Sequence, residues 1–102
     1  MEITLSELRE LTQPSLSHSF VVGTQYLIRT VTMYYTGRLL AVTDSDLVLE
    51  DAAWVADTGR FHNALKTGEL NEVEPFTDRV IVPRGGIIDA TAWTHDLPRA
   101  QK

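Results

Sequence analysis

Arg84-Gly85-Gly86 is the segment of this sequence best suited to recognising a ligand. A turn rich in backbone N–H groups that carries one guanidinium can hold a phosphate or stack on a base. Gly-Gly also joins strands in hairpins that bind nothing, so the turn gains a role only from its surroundings. Other residues capable of chemistry are less suggestive. His18, His62 and His95 are scattered, and none is spaced with another His, in a chain without Cys, as a metal site requires. They read as surface histidines. Asp44, Asp46, Glu50 and Asp51 are dense, but they lack the spacing of a calcium loop and read as a solvated turn. Gly-x-Ser-x-Gly is absent, and no serine has the strand-turn-helix setting that exposes a nucleophile. The residues supply no catalytic constellation, no metal set and no cofactor motif, so the expectation is a non-enzymatic protein.

The elements that must position Arg84 follow from local patterns. Thr4 and Glu7 have capping-box spacing, and Leu5, Leu8 and Leu11 share a stripe, which predicts a helix over residues 4–11 ended by Pro14. Residues 20–42 are β-branched or aromatic to a degree that predicts sheet, with Gly23 at a turn and Gly37 at a bulge or sharp bend. Residues 43–46 have turn chemistry, and residues 47–55 form the next strand. Asp57 or Thr58 can then cap an inserted helix in which Phe61 and Leu65 stand at i and i+4 and Gly68 is the stop. Residues 71–78 read as an acidic, solvent-facing loop. Strands at 79–82 and 87–93 follow, joined by the tight connection 83–86, and the tail 94–102 reads as loosely held. The pattern is mainly β, a small bent antiparallel sheet or barrel.

The chain has 102 residues, a length that suits one domain over 1–102. A domain of this size buries only about two-thirds of its unfolded surface, so assembly would add stability. Nine Lys and Arg against 14 Asp and Glu give a formal charge of −5, which repels phosphate backbones and anionic membranes. A role with nucleic acid would therefore need a local basic patch. Absent cysteine excludes disulfides and thiolate catalysis. Glu2 near the start, with no apolar stretch of signal or membrane-span length, leads to the expectation of a cytoplasmic protein with no membrane partner.

Two blocks place Arg84 in context. Residues 35–42, Tyr-Thr-Gly-Arg-Leu-Leu-Ala-Val, run on to 46–52, Asp-Leu-Val-Leu-Glu-Asp-Ala, and together resemble the first Sm motif, in which a bent strand carries Gly-x-Leu and the next carries Asn-x-x-Leu-x-Asp. Residues 80–88, with Arg84-Gly85-Gly86-Ile87-Ile88, are similar to the second Sm motif. The chain thus resembles the Sm-like family, which includes bacterial Hfq and phage-encoded relatives. The resemblance implies a five-stranded bent barrel with an N-terminal helix, here with an extra helix between strands 3 and 4.

It also implies a homo-oligomeric ring of roughly five to seven subunits, in which Arg84 and Gly85 line a pore that holds single-stranded RNA and Tyr34 or Tyr35 stacks on bases. Asp46 stands where the family has a uridine-reading Asn, and Thr43, Asp44 or Ser45 where it has an aromatic or His stacker. The first hairpin lacks Asn-Gly, and the stretch 53–78 is long for the family. Val80, Ile81, Val82, Ile87 and Ile88 carry little charge, and uncovered edges of that kind aggregate unless a neighbour pairs with them. They are the expected subunit interface, although inward-facing residues of a lone barrel have the same character. A ring of this type could instead be a platform for protein partners, with the inserted helix and acidic loop as its contact face. Basic residues converging on the pore would favour RNA; an acidic pore would favour the platform.

Overall fold

The β-branched stretch folds as a meander of three antiparallel strands, β1 (Gln25–Thr30), β2 (Tyr34–Val42) and β3 (Asp46–Asp57). They form the centre of a computed structural model that describes residues 18–102. After β3 come the helix α1 (Phe61–Thr67), strands β4 (Glu72–Pro75) and β5 (Val80–Pro83), a 3-10 turn (Arg84–Gly86) and β6 (Ile87–Ala92). The sheet runs β4-β3-β2-β1-β6, and β5 also pairs with β3, beside its first half. All pairings are antiparallel. The helix expected over residues 4–11 lies outside the described residues.

Gly37 bends the meander. Thr36 faces Ala53 whereas Arg38 faces Glu50, so three steps along β3 match two along β2. The surplus residue is taken up near Asp51, whose φ of 50° lies in the left-handed region. A Cβ on Gly37 would stand 3.1 Å from the Leu49 Cβ and 3.2 Å from the Ala52 Cβ. The bend also divides the interior. Tyr26, Ile28, Leu39, Leu47, Leu49, Ala52 and Val82 form one buried cluster; Leu27, Ala53, Val55, Ala64, Leu70, Val73, Trp93 and Leu97 form the other.

Several expectations change. The sheet has six strands rather than five, because residues 72–75 are a strand and not a loop: Val73 is buried between exposed Glu72 and Glu74, an alternation that charge obscured. Pro75 ends that edge strand, where proline is tolerated. The barrel is open among the described residues, since β5 bonds only to β3 and β6 only to β1. The inserted helix is present between β3 and β4, yet neither Asp57 nor Thr58 caps it. Arg60 takes the N-cap position without a side-chain bond, while the Asp57 carboxylate accepts the Gly59 N–H at 2.8 Å and turns the chain beforehand.

The tail is held rather than loose. Trp93 and Leu97 are buried, and Lys102 exchanges two backbone hydrogen bonds with Val73, covering the outer edge of β4 there. The His95 Nε2 lies 2.8 Å from the Leu65 carbonyl near the end of α1, so the imidazole fastens the tail to the helix instead of facing solvent. Gly68, the stop of α1, has φ +82°, and a Cβ there would come within 2.7 Å of the His95 Cβ and Cγ. Gly68→Ala is therefore expected to lose about 2 kcal/mol, from left-handed strain and from the clash together. Thermal melting should fall by roughly 8 °C or more, and an unchanged melt would show that His95 does not pack there. No helix among the described residues is long and apolar enough to cross a membrane.

Candidate nucleic-acid interface

Antiparallel pairing of β3 with β5 brings the turn between β2 and β3 against the 3-10 turn, with Asp46 opposite Pro83. The first turn is tied internally: the Thr43 hydroxyl accepts the Asp46 N–H at 2.9 Å and the Ser45 N–H at 3.3 Å. The second is tied to the first. The Arg84 N–H donates to the Ser45 carbonyl at 2.8 Å, and its Nη1 donates to the carbonyls of Thr43 (2.7 Å) and Asp44 (3.3 Å). The guanidinium lies 6.0 Å from the centre of the Phe20 ring, at the outer limit of a cation–π contact. Gly85 is exposed, with open space where a Cβ would be, so a ligand can approach its backbone closely.

Among the described residues Arg84, like Arg60 and Arg79, makes no ion pair with a carboxylate. Arg29 pairs with Asp89, while Arg38 and Arg99 converge on Asp51 at 2.9 and 3.2 Å. The Arg38 hydrogen bond, aided by the Arg99 charge, holds the Asp51 carboxyl below its ordinary pKa, and the Arg29 hydrogen bond does the same for Asp89. Asp89 in turn keeps Arg29 firmly protonated, and that guanidinium also covers the Phe61 ring at 5.1 Å, joining helix to sheet. Asp44 and Asp46 share the tip of Arg84, which limits the positive potential the turn can present.

The structure brings Arg84, Gly85 and Asp46 together, leaves Tyr34 elsewhere, and sets Tyr35 on a cavity that Pro83 and Gly86 also border. Both tyrosines lie at the start of β2, whereas the Arg84 tip follows its end. Tyr34 packs edge-on to Phe61 at 6.4 Å, and Tyr35 stacks on Phe76 at 6.1 Å. Their rings are half-buried against the two cores, with Tyr35 beside a cavity bordered by Val31, Val82 and Gly86. The aromatic at the tip is Phe20, which sequence reasoning assigned to the sheet; no local pattern links it to Arg84. Comparison with known protein families, curated proteins and solved structures finds no match.

The expected interface residues divide by face. Val82 is buried, and Val80 and Ile87 are partly buried against the same core. Ile81 and Ile88 are 63% and 62% exposed, the outward members of their strands. Among the described residues no group of three or more His, Asp or Glu is arranged to hold a metal ion.

Proposed function

We propose that the chain is an Sm-like assembly module: a homo-oligomeric ring of roughly five to seven subunits that gathers its Arg84 tips around a pore and there holds single-stranded RNA weakly. The observation that carries this reading is the position of two strand edges that have no partner among the described residues. They belong to β5 and β6, and the three-residue turn that begins with Arg84 lies between them. Edge-to-edge pairing of successive copies would repeat that turn at every junction, so that a lone cation becomes a circle of them.

Light scattering of the purified protein, beside a fluorescence titration with oligouridine and oligoadenine at stated salt, tests both parts. The expected result is an oligomer that binds weakly at low salt and releases RNA as salt rises. Arg84→Ala should abolish the binding and leave the oligomer intact, since it removes a phosphate or base contact from every subunit at once. A monomer at micromolar concentration would defeat the assembly.

A second reading, a ring that serves protein partners and binds no RNA, is favoured by one specific feature. The Arg84 Nη1 is already engaged by two backbone carbonyls, beside the acidic Asp44 and Asp46. An oligomer that fails to bind either oligonucleotide even at low salt would select this reading.

A further inference from the structure

The hydrogen-bonding phase of these two edges says which residues can meet. Arg84 donates to Ser45, in register with the pairs of β5 and β3, so Val82 and Val80 also point their backbone groups at β3. Ile81 and Pro83 then face away from the sheet. Pro83 has no N–H to offer, as suits an outward position on an edge, and Ile81 presents both a donor and an acceptor. On β6, Trp93 donates to Gln25, so Thr91 and Asp89 point at β1 and Ala90 and Ala92 face outward. Ile81 and Ala90 are thus complementary backbone partners on different edges.

Residues opposite each other in an antiparallel pair send their side chains to the same face. Ala90 faces the core, where it packs against the cluster of Ile28 and Tyr26. An Ile81 paired with Ala90 of another copy must therefore point into that copy's core. Beside Ala90 there is room for it: a cleft of about 280 Å³ bordered by Phe20, Tyr26 and Ile87 opens at this edge. The side chain that would enter is the 63% exposed Ile81.

We infer that Ile81 of one copy inserts beneath Phe20 and Tyr26 of the next, hydrogen-bonded through its backbone to Ala90, and fills the cleft that borders Ala90 there. The contact joins different surfaces on the two copies, so it propagates head to tail and closes by rotation. The inference rests on the assembly proposed above and adds its register and its inserted side chain.

Natural absence of cysteine makes the test clean. Hydrogen-bonded antiparallel partners stand about 5.5 Å apart at Cα, within disulfide range. Ile81→Cys and Ala90→Cys, co-expressed as separate chains and oxidised, are expected to give a disulfide-linked dimer that neither variant gives alone. Thr91→Cys, whose side chain lies on the other face, should not link to Ile81→Cys. An oligomer by light scattering in which Ile81→Cys links to itself, or to Thr91→Cys, would overturn the register and leave the assembly standing. A wild-type monomer would remove both. Should Ile81→Cys itself dissociate the oligomer while Ile88→Cys does not, burial of Ile81 by a neighbour is supported by that contrast.

Discussion

Trp93→Ala is expected to destabilise the domain by about 3–5 kcal/mol, a large part of the roughly 5–15 kcal/mol that holds a domain folded. The indole is 2% exposed and packs in one cluster with Leu27, Val55, Leu70 and Leu97. Its Nε1–H donates to the Asp96 carbonyl at 3.1 Å, and its ring meets His95 edge-on at 5.0 Å. Truncation would leave a cavity at the junction of sheet, helix and tail, and would strand the Asp96 carbonyl. Urea denaturation followed by circular dichroism measures the loss. Trp54 provides the comparison, because it is 37% exposed and its truncation should have a much smaller effect. If the two variants shifted the midpoint equally, Trp93 would not be a core residue and the tail would not be anchored by it.

Gly37→Val is expected to destabilise the fold by about 1–3 kcal/mol through overpacking. The reason is close approach rather than backbone conformation, since Gly37 does not adopt positive φ. The atoms a Cβ would crowd are the Leu49 Cβ, the Ala52 Cβ and the Ala52 Cα at 3.3 Å. None is the free end of a flexible chain, so relief requires β2 and β3 to separate. Gly37→Ala should fall between wild type and Gly37→Val, because its single methyl asks the neighbours to yield by only a few tenths of an ångström. A thermal melt of Gly37→Val that matches wild type would place the close approach elsewhere.

Much of the sheet was legible because β propensity is dense over residues 25–42, and Gly37 and Gly68 sit where a bulge and a helix stop are needed. Strand β4 was hidden because Glu72, Glu74 and Pro75 have the composition of a loop, and only buried Val73 betrays the alternation. The tail was misread for a related reason: Leu97 is apolar but solitary, and its burial depends on α1 and β4 being folded already. At the tip, local spacing gave two separate turns, and only the resemblance to the two Sm motifs set Arg84 and Asp46 in one place, where the pairing of β5 with β3 does bring their turns side by side. Phe20 was not, since its place against Arg84 arises only when the chain before β1 folds back across the core. Tyr34 and Tyr35, the aromatics expected to stack on bases, meet Phe61 edge-on and stack on Phe76 respectively, contacts that no local pattern announces.

The neighbours Ala52 and Ala53 belong to different interiors. Helix α1, β4 and the tail all pack on Ala53's side, whereas β5 and the start of β6 pack on Ala52's side. Substitutions on the two sides should combine almost additively, as changes without shared contacts do. Changes in the length or charge of the helix and tail should therefore leave the edges of β5 and β6 undisturbed.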